Sequence, residues 1–278
     1  MSFNSNLYQT SWQTINQSFS IAYGMSVANL IPLSVFDSIP STNTKVWELI
    51  DRQVENPLGA IALQQTAGKG QWGHSWVSAK GGLYLSVGLD LDLEINNYPH
   101  LVIATAWGIA TVLRHYKLPV TIKWSNDLIL NYRKLGGIKI ETRNYQNKLL
   151  KAVVGVGINW RNPVPEPGIN LETYYRDKNL RKIDSLEELT AITAYGILLG
   201  YKYYLAVGIE KLLDKYLKIL GSLGQKVNFN DYWGEVVGVT TEGKLRVKLS
   251  SPGASTEIAI APGQISLGYP VRANSIRP

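Results

Sequence analysis

The sequence contains no cysteine, so disulfide bonds and thiolate metal sites are excluded. Histidine is scarce as well, and no two of the three histidines have the spacing of a metal-ligand pair. They are His74, His100 and His115. We therefore expect no zinc site, whether structural or catalytic.

Long hydrophobic runs and a signal peptide are also missing. The longest apolar run, at residues 101–113, is too short to cross a bilayer, and a second apolar region at 191–209 is interrupted by Lys202. The polar N-terminus lacks the basic-then-apolar order of a signal peptide. We therefore expect a cytoplasmic protein with no membrane contact.

Acidic residues are fewer than basic ones, since 28 Lys and Arg against 21 Asp and Glu give a net charge of +7. Such a surface favours an anionic partner, although a solvated lysine-rich surface explains the excess equally simply. No run of five or more basic residues occurs, so we expect no nucleic-acid partner.

The order of the remaining patterns predicts three parts. Residues 1–34 are polar and are expected to form an N-terminal arm, too short for a DNA-binding domain of the usual size. Residues 35–221 mix strands and helices, and residues 222–278 form a small all-β module. Because strands and helices do not alternate regularly, we expect an α+β fold with a mixed sheet.

Three helices are expected in the central part. The first follows the SIPSTN loop, with hydroxyl and amide caps, and presents one apolar face formed by Val46, Leu49, Ile50 and Val54. The second is the apolar stretch 98–116. The third opens with a capping box of Ser185 and Glu188 and continues to about residue 220.

The strands are expected on either side of a glycine loop and again after residue 120. The central ones are GAIALQQT, GGLYLSVGLDL, TIKWSNDLIL and KLGGIKIETRNYQNKLLKAVVGVGINW, with a hairpin turn at YQNK. In the C-terminal module, KLRVKL alternates apolar and polar residues, and EIAIA and QISL follow after Gly and Pro turns.

The glycine loop between the first two of these strands reads GKGQWG at residues 68–73, which matches the dinucleotide pattern GxGxxG. That fingerprint requires a helix to open on the loop, whereas here the chain runs into another strand, so we reject a dinucleotide site. The backbone N–H groups could form an anion nest to which Lys69 adds charge. An ordinary long hairpin loop remains an equal alternative.

Two further motifs shift that balance toward a ligand site. Residues 123–137, KWSNDLILNYRKLGG, place several polar side chains around a short apolar strand. A turn and a solvated lysine would explain them, yet Lys134 beside a glycine pair suits a clamp on a phosphate. In VVGVGINW, the alternate glycines Gly155 and Gly157 leave room for a ligand or another backbone, or simply allow tight sheet packing.

Taken together, these motifs resemble biotin–protein ligases, specifically the bacterial biotin–[acetyl-CoA-carboxylase] ligases without a DNA-binding domain. The resemblance covers about residues 36–278. Four motifs carry it in the family's order: STN at 41–43, QTAGKGQWGHSW at 65–76, KWSNDLILNYRKLGGI at 123–138 and VGVGIN at 154–159. It implies a mixed sheet akin to the class II aminoacyl-tRNA synthetase core, followed by a small Src-homology-3-like β-barrel.

The resemblance also implies a two-step reaction. Biotin and ATP, supplied with Mg2+, would give biotinyl-5′-AMP, and biotin would then pass to a lysine of the biotin carboxyl carrier protein of acetyl-CoA carboxylase. Both nucleophiles belong to the substrates, so the enzyme must mainly position them and stabilise charge. Ligases of this kind occur as monomers and as homodimers.

The residue roles follow from the same motifs. The resemblance assigns biotin binding to Ser41, Thr42, Asn43, Gln65, Lys69, Gly70, Gln71, Lys134 and Gly137. It assigns the nucleotide side to Trp76, Asn126, Lys134 and Asn159. Lys134 is the expected main catalytic residue, neutralising the carboxylate and then the phosphate charge, and it is assisted by Asp127 and Lys69.

This sequence departs from the family pattern at two places. The family loop usually reads GRGR, whereas here Lys69 and Gln71 stand in place of the two arginines. Lysine retains the charge without the bidentate fork, and glutamine retains only hydrogen bonding. We expect weaker retention of the adenylate. Ser125 also replaces the proline of the usual KWPND.

Other functions were weighed against this one. A lipoate–protein ligase or an octanoyl transferase would share the fold, but the transferase needs a cysteine nucleophile, which this sequence lacks. A non-catalytic protein that merely holds biotin or a nucleotide is the alternative from another class. Lys134, Asp127 and Gln65 argue against it, because all three remain.

Overall fold

The computed structural model describes residues 3–27, 29–176, 178, 180–251 and 254–269. The helices in this part of the chain are α1 (Ser5–Tyr23), α2 (Thr42–Asp51), α3 (Tyr98–His115), the short α4 (Leu171–Tyr175) and α5 (Leu186–Leu217). Single 3-10 turns lie at Gln71–Gly73 and Ile95–Asn97.

Two sheets are formed. The larger sheet contains β1 (Leu33–Phe36), β2 (Leu58–Ala62), β3 (Leu83–Glu94), β4 (Thr121–Lys123), β5 (Asp127–Leu130), β6 (Arg133–Tyr145) and β7 (Lys148–Ile158). The smaller contains β8 (Lys226–Phe229), β9 (Tyr232–Val239), β10 (Leu245–Ser251) and β11 (Ala254–Ile260).

The larger sheet has the order β1-β2-β3-β7-β6-β5-β4, with β1 and β2 parallel and all other neighbours antiparallel. The expected mixed α+β sheet is therefore confirmed. The turn predicted at YQNK joins β6 to β7, where Gln146 and Asn147 both have positive φ. This long hairpin carries the KLGG and VGVGIN motifs side by side.

Alternation along β7 separates the two faces of the sheet. Val154 and Val156 belong to the main core with α1, α3 and α5, whereas Val153 packs with α2. Gly155 and Gly157 have the same parity as Val153 and therefore face the α2 side. The candidate ligand motifs thus share one face, and the large helices cover the other.

Helix α2 packs as expected through Val46 and Ile50, which are buried, and through Leu49, which is partly buried. The expectation for Val54 is wrong, because this side chain lies beyond the helix and is 46% exposed. The helix ends at Asp51, and the positive φ of Gln53 turns the chain away from the apolar face.

The segment expected to be an N-terminal arm contains a helix that is part of the core. One side of α1 is buried against α5, and it consists of Tyr8, Trp12, Ile15 and Phe19. The Tyr195 hydroxyl donates to Asn16 Oδ1 at 3.2 Å. The arm expectation is corrected accordingly, and the division of the chain into domains stays a prediction.

Helix α5 opens as expected, with Ser185 Oγ accepting a hydrogen bond from the backbone N–H of Glu188. By length and composition alone α5 could cross a membrane, but half of its most apolar stretch is buried inside the fold. Its contacts with α3 are close enough that a side chain on Gly108 would overlap the Gly196 carbonyl.

The C-terminal strands form a four-stranded antiparallel sheet of order β11-β10-β9-β8. Leu245 and Val247 are fully buried on one face, as the alternation predicted. QISL is not a strand, because a turn at Pro262–Gly263 leads the chain out of the sheet. Closure into a barrel stays a prediction, and residues 270–278 lie outside the described part of the chain.

Candidate active site

A small cavity lies on the α2 face of the large sheet, beneath the glycine loop. Its volume is about 60 Å³, and it adjoins a wider cavity of about 500 Å³ with which it shares six lining residues. Twelve of the thirteen site residues expected from the sequence line the smaller cavity: Ser41, Thr42, Asn43, Gln65, Lys69, Gly70, Gln71, Trp76, Asn126, Asp127, Lys134 and Gly137.

One end of the cavity is formed by the start of α2. Ser41 occupies the N-cap position, but its side chain makes no capping hydrogen bond. The side-chain oxygen Oε1 of Gln65 accepts two hydrogen bonds from Thr42, one from the backbone N–H at 2.8 Å and one from the hydroxyl at 3.1 Å. The Gln65 amide donates to Ser78 Oγ at 2.8 Å. Gln65 therefore stabilises the first turn of α2 through these hydrogen bonds.

Ser86 supports this end of the cavity from behind the lining residues Thr42 and Asn43, and it was not predicted from the sequence. Its hydroxyl is fully buried, 2.7 Å from Thr42 Oγ1 and 2.6 Å from Asn43 Oδ1. A single polar residue within the apolar strand GGLYLSVG was the available signal. The bond to Ser86 turns the Asn43 amide so that Nδ2, which is buried, has no hydrogen-bond partner among the described residues.

Gly155 and Gly157 form the floor, and the room they leave is taken by two side chains of the site. A Cβ on Gly155 would overlap Asn43 Oδ1. A Cβ on Gly157 would lie 2.5 Å from the indole atoms Cε2 and Nε1 of Trp76. The alternate glycines therefore allow Asn43 and Trp76 to lie directly on the sheet.

The glycine loop folds as a hairpin, in which Gly70 N–H donates to the His74 carbonyl at 2.6 Å and Trp76 N–H to the Gly68 carbonyl at 2.9 Å. No α-helix opens on this loop; it contains a single 3-10 turn at Gln71–Gly73 and the chain then runs toward β3, as expected from the sequence. Lys69 is exposed, and its ammonium donates to Thr44 Oγ1 at 3.1 Å.

The opposite end of the cavity holds a cluster of charges. Asp127 is 9% exposed and lies between two ammonium groups, with Lys134 Nζ at 2.8 Å and Lys123 Nζ at 3.7 Å. Burial lowers the pKa of Lys123; the charge of Asp127 opposes this shift and that of Lys134 adds to it. The cluster carries one net positive charge and is accessible to a ligand from the wider cavity.

Tyr269 reaches this cluster from the C-terminal segment and was also missed from the sequence. Its hydroxyl donates to Asp127 Oδ2 at 3.3 Å, and Lys123 Nζ lies 4.0 Å from its ring centroid. Burial, together with the Asp127 charge, raises the pKa of Tyr269. The phenol therefore remains protonated and serves as a donor.

Asn159 is the expected site residue that the small cavity does not include. Its amide donates to the Lys134 carbonyl at 3.3 Å, and its Oδ1 accepts from Asn162. It lines a neighbouring cavity of about 240 Å³, of which Trp76 and Lys134 are also part of the wall. Trp76 Nε1 is buried without a partner among the described residues, and Lys134 Nζ lies 5.3 Å from its ring centroid.

Within the described residues, no group of three or more His, Cys, Asp or Glu is placed so that it could hold a metal ion. The cavity instead combines lysine ammonium groups, hydroxyls, and two buried N–H donors for which the described part of the chain supplies no acceptor. Such a site suits an organic ligand with a carbonyl at one end and an anionic group at the other.

Comparison with known proteins gives one family. Residues 35–159 match the biotin/lipoate A/B protein ligase family. The bifunctional ligase/repressor BirA of Bacillus subtilis is 26% identical over 222 residues, which cover 75% of this chain and 67% of that protein. BirA of Escherichia coli K12 is 37% identical over 129 residues, or 46% of this chain and 40% of that protein. The biotin–protein ligase of Schizosaccharomyces pombe is 28% identical over 241 residues, which cover 76% of this chain and 38% of that protein.

Solved structures show the same fold. A biotin protein ligase from Aquifex aeolicus, in complex with biotin and ATP, superposes with a TM-score of 0.66 at 22% identity, covering 87% of this chain and all of that one. A ligase from Leishmania major in complex with biotinyl-5-AMP has a TM-score of 0.56 at 20% identity, covering 83% and 99% of the two chains.

Proposed function

We propose that this chain, in which residues 35–159 form a domain of the biotin/lipoate A/B protein ligase family, is an ATP-dependent biotin–protein ligase. In the first step the biotin carboxylate oxygen attacks the α-phosphorus of ATP, giving biotinyl-5′-AMP and pyrophosphate. In the second step the amine of a carrier lysine attacks the mixed anhydride and releases AMP. The observation that carries the proposal is one cavity with amide and hydroxyl groups at one end and lysine charges at the other.

The hydroxyl end fits the ureido ring of biotin. Ser41 and Thr42 offer hydroxyl groups, and Asn43 offers an Nδ2 donor that has no acceptor among the residues described by the structure. A buried donor without a partner costs about 1–3 kcal/mol, and a ureido carbonyl would remove that cost. Gln65 and Ser86 would act indirectly, because their hydrogen bonds to Thr42 and Asn43 hold those two side chains in place.

The charged end fits the biotin carboxylate and the α-phosphate. We assign the central role to Lys134. Its ammonium lies 2.8 Å from the Asp127 carboxylate, and its side chain is 28% exposed. This ammonium would offset the repulsion between carboxylate and phosphate as they approach, and then stabilise the charge of the transition state. Lys69, Gly70 and Gln71 would close the loop over the reacting atoms and keep water away.

The neighbouring cavity of about 240 Å³ fits the nucleoside. Trp76 lines both this cavity and the smaller one and would offer an aromatic face to the adenine, while Asn159 lines the wall of this cavity. Asn126 is held by a hydrogen bond from its amide to the Ile138 carbonyl at 2.9 Å. Mg2+ would enter with ATP as part of the substrate.

The acceptor in this proposal is a lysine of a biotin carboxyl carrier protein domain, that of acetyl-CoA carboxylase being the one implied by the sequence resemblance. The net charge of +7 favours an acidic carrier. We place the reaction in the cytoplasm. Both a monomer and a homodimer remain part of the proposal, as the sequence resemblance implies.

The test is pyrophosphate release from ATP, measured with and without biotin. Wild-type protein is expected to release pyrophosphate only with biotin, and Lys134→Ala to slow release by about 100-fold or more, as for other preorganised charge-stabilising groups. Lys148→Ala is the matched control, since this exposed lysine pairs with Asp92 at the far end of β7.

Three outcomes would change the conclusion. Stimulation by lipoate in place of biotin would make the protein a lipoate–protein ligase. Binding of biotin without any pyrophosphate release would indicate a binding protein. Full activity in Lys134→Ala would remove the assigned catalytic residue. With adenylation established, transfer to a purified carrier domain, followed by mass spectrometry, tests the second step.

A further inference from the structure

Lys139 lies in the same small cavity but belongs to none of the residue roles assigned so far. It is on β6 between Ile138 and Ile140, both of which are buried in the main core. By alternation Lys139 therefore points to the opposite face, where the glycine loop lies. Its neighbour on β7 is Gly155, so no side chain from that position competes for the space.

Lys139 and the glycine loop hold each other through a pair of hydrogen bonds. The Lys139 ammonium donates to the Gly70 carbonyl at 3.0 Å. At the next residue of the loop and the preceding residue of β6, the Gln71 side-chain amide donates to the Ile138 carbonyl at 3.3 Å. The loop is thus attached to β6 at two adjacent points, and the Lys139 charge lies beside the backbone of residues 70 and 71.

The ammonium of Lys139 retains donors for a ligand. It has three N–H groups, and one is used by the Gly70 carbonyl. The nearest carboxylate, Glu141, is 3.7 Å away and accepts a shorter hydrogen bond from Trp47 Nε1 at 2.9 Å. Lys139 is therefore only weakly neutralised in this arrangement.

The other positive charges of the cavity are already engaged or lie at its edge. Lys134 is paired with Asp127, and Lys69 is exposed and bonded to Thr44. Gln71, the remaining polar side chain of the loop, is neutral. A site that gathers a carboxylate and a phosphate needs more positive charge than Lys134 alone supplies.

We propose that Lys139 is an anion-binding residue of this site, contacting the biotin carboxylate and, after the first step, the phosphate of the adenylate. The inference rests on the proposed function. In this proposal Lys139, on β6, supplies the positive charge that the glycine loop lacks because residue 71 is a neutral glutamine. The hydrogen bond from the Lys139 ammonium to the Gly70 carbonyl holds that charge beside the glycine loop.

The test compares biotin with biotinol, in which an alcohol replaces the carboxylate, by calorimetric binding to the full chain without ATP. Lys139→Met removes the charge and retains most of the stem. We expect about ten-fold weaker binding of biotin, the loss typical for a hydrogen bond to a charged group, and unchanged binding of biotinol. Lys139→Arg, which keeps the charge, should recover most of the affinity, and Lys148→Met should behave as wild type.

Two results for Lys139→Met would overturn the inference. An equal loss of affinity for biotin and biotinol would show a packing effect, and unchanged biotin affinity would show that Lys139 does not contact the carboxylate. Lys139→Arg as weak as Lys139→Met would also overturn it. A wild-type protein that binds neither ligand would instead overturn the proposed function, and this inference with it. Thermal unfolding of each variant ensures that only folded proteins are compared.

Discussion

Gly157→Ala is the substitution whose effect can be worked out most directly from the structure. The added Cβ would lie 2.5 Å from Cε2 and Nε1 of Trp76, whereas carbon atoms in contact are about 3.5 Å apart or more, so the indole must retreat by about 1 Å. Because Trp76 lines both the small cavity and the cavity of about 240 Å³, we expect at least about ten-fold weaker binding of biotin or ATP. Overpacking should lower the unfolding free energy by about 1–3 kcal/mol.

The assay is calorimetric titration of each substrate, together with urea unfolding. Gly24→Ala is the control: Gly24 has a positive φ at the end of α1 and no atom within 4 Å of its Cβ position, so stability should fall without any change in binding. In a Trp76→Phe background, Gly157→Ala should cost less than in the wild type, because the smaller ring relieves the overlap. Unchanged affinity for both substrates in Gly157→Ala would refute the placement of Trp76 beside the ligands.

Three further outcomes are expected. Tyr269→Phe removes the donor to Asp127 and should slow pyrophosphate release about three- to ten-fold with little change in biotin affinity; a change in affinity alone would contradict the positioning role. Ser86→Ala leaves a buried amide oxygen without its donor and should lower the unfolding free energy by about 1–3 kcal/mol in urea titrations, whereas an unchanged midpoint would mean that the polar network adds nothing. Burial lowers the pKa of His100 below its usual value of 6.5, so the unfolded state takes up the proton first. The contribution of neutral His100 to stability should be complete above about pH 6.5 and be lost as the pH falls below that value, with a shallower slope in His100→Gln.

Much of the fold could be predicted because its signals are local. Three features follow from such signals: helix α3 from a run of apolar residues, the hairpin turn at residues 145–148 from polar residues with apolar residues on both sides, and the Ser185 cap from a capping pair. Helix α1 was misjudged because the composition of residues 1–34 is polar overall. Yet its buried side chains recur at intervals of four, three and four residues, at Tyr8, Trp12, Ile15 and Phe19, which is a helical stripe. Composition concealed a period that the sequence carried.

The site divides in the same way. Twelve of the motif residues that line the cavity could be named from the sequence because each motif is a short recognisable pattern. Ser86, Lys139 and Tyr269 lie outside the motifs, and their places depend on long-range pairing. Lys139 faces the loop only because β6 pairs with β7 in the register that sets it opposite Gly155. A register shift of one residue would turn Lys139 into the core and Ile138 toward the ligand. The sheet register therefore determines on which face of the sheet this charge lies.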